Sequence, residues 1–328
     1  MSYFRFPHCI ALLAGAIALS AATAAMAGCQ SGVVDGVYTS LLDGVECNGD
    51  APGTAATAVG RDAKAHGFYS TAVGYNASAL GHVSTVVGTS AGNGVTAIGV
   101  TAVGAFAAEQ ASGRYSTVLG AGNLNSGIPP AALGDYGIAI GGGDGQKPFG
   151  KPLNGARSTR FLSIALGTSS VANSDFAMAF GFNAKAGSGV VGPIGPIAIG
   201  PDAKATLTNA TALGRFSSAT AANTTALGSG STASQTSSVA LGSNSVANVA
   251  NTVSVGNANL RRRIVNAAPG IANSDVPTLG QVKNIAATAA ETASADLRQE
   301  VADLRALVKQ QQQELAALKS QKAAALNQ

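Results

Sequence analysis

From Gly60 onward one short phrase keeps returning: Thr57-Ala58-Val59-Gly60, Thr71-Ala72-Val73-Gly74, Thr85-Val86-Val87-Gly88. The glycines stand fourteen apart, and the beat resumes as Ala212-Leu213-Gly214, Ala226-Leu227-Gly228, Ala240-Leu241-Gly242 and Ser254-Val255-Gly256. Between those blocks Gly104, Gly120, Gly134, Gly167, Gly181 and Gly200 carry the phrase at spacings stretched by insertions. A fixed period over most of a chain is the signature of a stacked repeat. Fourteen residues hold two strands of about five residues and two tight turns, with Gly supplying a positive φ. That is one rung of a parallel β-solenoid. A helical repeat is disfavoured, because Gly at every second turn would cost about 1 kcal/mol each time. The thirteen phrase glycines, at about 4.8 Å per rung, predict a head of roughly 60 Å.

So short a rung encloses little. The reading places Ala, Val, Leu and Ile inside it. Strands alternate their side chains between two faces, so each phrase also offers apolar groups to the outside. A thin solenoid apolar on both faces should bury the second against copies of itself, and an oligomer is expected.

Few other chemistries compete. The charged fraction of 11% and net charge of +4 give no general pull toward nucleic acid, and none is expected as a partner. No Ser-His-Asp arrangement or paired carboxylates can be read from the sequence, so no enzyme and no cofactor is expected. His66 and His82 have no further ligands at matching positions; they read as solvated turn residues, and no metal site is expected. The run Gly141-Gly142-Gly143-Asp144-Gly145 lacks the Gly-Lys-Ser/Thr ending of a phosphate cradle and no amphipathic helix follows it.

Residues 1–27 read as a secretory signal: Arg5 and His8, an apolar run from Ile10 to Leu19, then Ala25-Met26-Ala27. Export leaves Cys29 and Cys47. A disulfide between them would close an eighteen-residue interval and contribute about 3 kcal/mol. Met26-Ala27-Gly28-Cys29 also resembles a lipobox, which would place a lipid on Cys29 instead.

The phrase Ser/Thr-x-Ala-Val/Ile/Leu-Gly, with Ala77-Ser78-Ala79-Leu80-Gly81 after it, resembles the head repeat of YadA-like trimeric autotransporter adhesins. The resemblance implies an all-β left-handed parallel β-roll head, an α-helical coiled-coil stalk and an intertwined homotrimer. It continues into Arg261-Arg262-Arg263-Ile264-Val265-Asn266-Ala267-Ala268-Pro269-Gly270 and Asp275-Val276-Pro277-Thr278-Leu279-Gly280-Gln281. There Arg262, Ile264, Asn266, Gly270, Asp275 and Gln281 match the family's neck, whose role is to clasp neighbouring chains. The three arginines also fit a phosphate-binding patch. Beyond them Leu297, Val301, Leu304, Val308, Gln311, Leu315 and Leu318 alternate in steps of four and three, a heptad seam. The family ends in four amphipathic membrane strands; no such pattern follows Gln311, so a separate membrane-anchor protein is an expected partner.

The organisation expected is a signal at 1–27, a leader and cap at 28–52 and a head at 53–256. Insertions are expected at about 121–165 and 187–197, then a neck at 257–283 and a stalk at 284–328. The longer insertion gathers Tyr136, Lys147, Phe149, Lys151, Arg157 and Arg160, the residue types that carry interface energy. These are the expected ligand contacts. The function expected is adhesion, at the cell surface, the outer membrane or outside the cell. The ligand would be a host cell, extracellular matrix or another bacterial surface, held through a multivalent head. A spacer or surface-layer component without a ligand is the alternative.

Overall fold

Each rung folds because two short strands can hydrogen-bond only to the rungs before and after, and Gly lets those rungs approach. The computed structural model describes residues 49–326 apart from 110–112, 124–127, 148–151, 190–191 and 193, with the backbone of two earlier strands. Those two, Gly32–Val34 and Val37–Thr39, form an antiparallel pair. The signal, Cys29 and Cys47 lie outside the described residues.

The rungs build two parallel sheets. The long sheet has thirteen strands, from Thr57–Val59 to Val253–Ser254, stacked in chain order. Opposite runs a sheet of two-residue strands, eight of them from Ala131–Ala132 to Val246–Ala247, preceded by the pair Lys64–Ala65 and Ser78–Ala79. The strands are thus three and two residues long rather than five, and the turns take the remainder. Thirteen rungs is the expected count, but one member is different. Ala131-Ala132-Leu133-Gly134 sits on the short-strand side, and the rung glycine is Gly141, after Ile138–Ile140. Both sides end in small-aliphatic-Gly, so the two phrases look alike in sequence.

The interior also differs from expectation. In the three-residue strands the middle residue points inward and is buried, as in Ala72, Ala139, Ala165, Ala212 and Ala226. The flanking branched residues point out: Leu213 and Leu227 remain 41% and 38% exposed. Ala198 and Ala205 face inward from the two sheets. A ring of fourteen residues leaves room between its walls for methyl groups, with Val only at Val86 and Val118 among the strand centres. Several buried hydroxyls are satisfied within their own turns: Ser70 Oγ donates to Gly67 O at 2.6 Å and Ser231 Oγ to Gly228 O at 2.8 Å.

Two turns per rung each contain a residue at positive φ. In one column, two residues before each long-sheet strand, stand Tyr115, Tyr136 and Phe176 at φ 54°, 57° and 58°. Later rungs place Asn209, Asn223 and Asn251 there at 55°, 56° and 57°. This conformation costs a bulky residue about 1–2 kcal/mol and suits Asn.

The head's last rung is closed by Arg262. Its Nη1 donates to Ser245 Oγ at 3.0 Å and to Val255 O at 2.7 Å, and Nη2 donates to Ser243 O at 2.7 Å. A planar fork meets three acceptors that no following rung satisfies. Arg262→Ala should cost about 2–3 kcal/mol. Hydrogen exchange should rise first at residues 239–256, and Arg262→Lys should rescue little. Protection there equal to the parent's would refute the capping role.

A second compact unit spans Arg263–Gln328. Its helix α1 is Leu279–Leu326, 48 residues long and free of Pro. No helix among the described residues is long and apolar enough to cross a membrane.

Candidate binding surface

Among the described residues no cluster of three or more His, Cys, Asp or Glu side chains could hold a metal. The histidines have local partners: His66 Nε2 lies 2.8 Å from Asp50 Oδ2, and His82 Nδ1 accepts from Phe68 N–H at 2.9 Å. The glycine run is explained by close approach. A Cβ on Gly142 would lie 2.4 Å from Ala121 O, and one on Gly143 would lie 2.2 Å from Leu153 O. A depression of about 830 Å³ is open to solvent at the end of the head beside Val255, Leu260 and Arg262.

The six expected ligand contacts do not form one loop. Tyr136 stands in a regular turn, Arg157 begins the short strand Arg157–Ser158, and Arg160 stands in the turn after it. Parallel pairing joins Arg157 to Ala131 on one side and Val171 on the other. Lys147 is exposed on the true excursion, whose mouth is closed by Gly145 N–H donating to Leu153 O and Leu153 N–H to Gln146 O, both 2.8 Å. Phe149 and Lys151 lie outside the described residues.

What the structure does bring together is a line of exposed rings. Tyr115 and Tyr136 stack with centroids 5.4 Å apart, and Phe161 meets Tyr136 and Phe176 edge-on at 5.8 Å each. All four are between 42% and 53% exposed. Of the four, only Tyr136 is among the ligand contacts expected from the sequence. The missed signal was positional: an aromatic one or two residues short of the turn's end in consecutive rungs.

Beside that edge lies the outward face of the long sheet. It carries Thr and Val in the early rungs, then Ile138 with Ile140, Ile164 with Leu166, and Met178 with Phe180. Leu213, Leu227 and Leu241 continue it in register.

Within the second unit, the expected clasp residues hold their own chain. Gln281 Oε1 accepts from Gly270 N–H at 2.9 Å and from Thr278 N–H at 3.0 Å, while its Nε2 donates to Gly270 O at 2.8 Å. Asp275 Oδ2 accepts from Ile271 N–H at 2.9 Å and Ala272 N–H at 3.0 Å. Asn266 turns the chain at φ 59°, and Ile264 is 75% exposed. On α1, Leu297, Val301, Leu304, Val308, Leu315 and Leu318 remain uncovered, and Gln311 is also exposed.

The Ala272 and Ile271 amides hold the Asp275 carboxyl below its ordinary pKa. A depressed folded value means that this stabilisation is complete above the unfolded pKa and is lost as pH falls through the folded one. Exchange of the Ile271 and Ala272 amides, relative to their intrinsic rates, should therefore accelerate below about pH 3.9. In Asp275→Ala it should be fast throughout; slow exchange in that variant would show that the carboxylate does not hold the turn.

The architecture defines a class: a parallel β-roll of short stacked rungs whose outward long-sheet face is apolar. The family described as the YadA head domain repeat matches residues 51–77, 65–91, 162–184, 197–217, 219–245 and 233–258. Those stretches are similar to the YadA head repeat. Among solved structures it is similar to the crystal structure of the collagen-binding domain of the Yersinia adhesin YadA. Identity is 22% over 62% of this chain and 83% of that one, with a TM-score of 0.36. No curated protein matched.

Proposed function

We propose that this chain is an exported, surface-displayed adhesin that assembles as a homotrimer and attaches to host cells, extracellular matrix or other bacteria. The observation that carries the reading is the set of YadA head repeats, whose rungs leave an apolar face uncovered on the outside. Three chains bury that face against one another and set three identical binding edges on one rigid rod, which raises avidity when each contact is weak. The seam on α1 extends the same assembly as a coiled coil.

Attachment of the purified chain to immobilised matrix and cultured epithelial cells tests the reading, with a denatured sample as control. Failure to attach to any surface would favour the spacer. To test the excursion, residues 146–152 are replaced by a Gly-Ser turn across the closed mouth. The trimer and its melting should stay within about 2 °C of the parent, because the rungs on either side keep their pairing. If Lys147, Phe149 and Lys151 contact the ligand, attachment falls several-fold; unchanged attachment removes the excursion from the binding surface.

A further inference from the structure

The uncovered seam on α1 has one polar interruption and two charged borders. Written as heptads, Val301, Val308 and Leu315 take the a positions, and Leu297, Leu304, Gln311 and Leu318 take d. Gln311 alone among these seven is not apolar. A depression lined by Val301, Leu304, Arg305 and Val308 lies on this strip, open for a knob from another helix.

The same lettering sorts the charges beside the seam. The e positions hold Arg298, Arg305, Gln312 and Lys319, and the g positions hold Glu300, Leu307, Glu314 and Gln321. One border is therefore basic or neutral and the other acidic or neutral. None of the five charged side chains is ion-paired within its own chain among the described residues. Glu314 Oε1 accepts from Gln310 Nε2 at 3.0 Å, a neutral donor that leaves the carboxylate charge uncompensated.

In parallel helices a g residue meets the e residue of the next heptad on the neighbour. That sets Glu300 beside the partner's Arg305 and Glu314 beside the partner's Lys319, opposite charges in both cases. An antiparallel pair sharing the seam would bring Arg305 to face its own copy and Glu300 to face Glu314, which repel. Gln311 excludes a slip in register. In register its copies form one layer, where amide can bond to amide. A shift by one heptad places each amide against Leu304 or Leu318, buried without a partner.

We propose that Gln311, with the pairs Glu300–Arg305 and Glu314–Lys319 between copies, aligns copies of this chain parallel and in register, so that the same rungs of neighbouring copies meet. The occupant of the seam is a second copy of this chain, because its two borders complement each other. Exposed ion pairs choose among arrangements more than they add affinity, so these residues orient the assembly and the head face holds it.

The inference rests on the assembly proposed above and names the residues that set its alignment. The test uses the full exported chain in three forms, Ala287→Cys, Ser294→Cys and Leu318→Cys, mixed in pairs, oxidised and read as cross-linked peptides by mass spectrometry. Joins between equal positions are expected. Joins of 294 to 318 mark antiparallel copies, and joins of 287 to 294 mark a slip by one heptad. Glu300→Lys with Glu314→Lys should lower the yield of equal joins several-fold. Adding Arg305→Glu and Lys319→Glu should restore it, which a general loss of helix would not allow. Gln311→Leu should keep the helix signal and raise the 287 to 294 joins several-fold. The proposal is overturned by a majority of 294 to 318 joins in the parent, by an unchanged yield after charge reversal, by no restoration after the swap, or by no added slip in Gln311→Leu. A parent that sediments as three chains and attaches to cells, yet joins at unequal positions, defeats this inference and leaves the adhesin reading standing. Equal joins in a species of two chains would do the reverse for the trimer.

Discussion

Replacing Gly214 by Ala should lower the melting temperature of the head by about 6–12 °C, from a loss of roughly 3 kcal/mol. Gly214 has φ +135°, and a Cβ built on it would lie 2.6 Å from the carbonyl carbon and oxygen of Gly228. Both atoms are backbone of the next rung, so nothing flexible can move aside. The same contact recurs below, where a Cβ on Gly200 would lie 2.7 Å from the Gly214 carbonyl carbon. A rung pushed out of register therefore disturbs its neighbours on both sides, which is how stacked repeats lose stability. Gly280→Ala is the matched control: it lies in α1 with its nearest atom at 3.9 Å, and Ala there favours the helix by about 1 kcal/mol. Thermal melting followed at the β band decides the matter; a Gly214→Ala head that melts within about 2 °C of the parent would mean that the rungs have slack.

Leu213→Glu combined with Leu227→Glu should convert the proposed trimer to monomers in sedimentation velocity without abolishing the β signal. The two leucines are paired in register on adjacent rungs and point away from the Ala interior. Removing them from water contributes about 1–2 kcal/mol each, repeated in three chains, whereas two carboxylates per chain in a dry interface repel and lose hydration. The core, built from Ala212, Ala226 and their neighbours, does not involve these side chains. A trimer that survives both substitutions would move the interface off the long sheet. Loss of the β signal would show that the monomeric roll cannot stand alone.

Much of this architecture was legible in advance. The fourteen-residue beat, the rung count and parallel stacking follow from glycine spacing, because a repeat so short can satisfy its backbone only with its neighbours. The helix from Leu279 follows from a change to Ala, Leu, Gln and Glu without Pro. The insertions were harder. Gly134 imitates a rung glycine because both sides of a rung end in similar phrases, and only the pairing of Ile138 with Thr117 separates them. Arg157 looked like part of a loop, yet it pairs as a strand, since two residues flanked by unrelated sequence carry no periodicity to detect. The row of rings was invisible for a related reason: Tyr115, Tyr136 and Phe176 are twenty-one and forty residues apart.

By itself the sequence determined that the chain stacks, how many rungs it has and where stacking stops. It did not separate the two faces of each strand, and the expected interior of Ala, Val, Leu and Ile mixed them. Alternation places Ala212 on one face and Thr211 with Leu213 on the other, and both faces are apolar enough to be buried. The tertiary structure decided between them through a dimension that no single strand carries, the width between two sheets closed by two turns. At that width a methyl group fits and an isobutyl group does not. Ala therefore goes in and Leu out, leaving uncovered the apolar face that the proposed trimer would use.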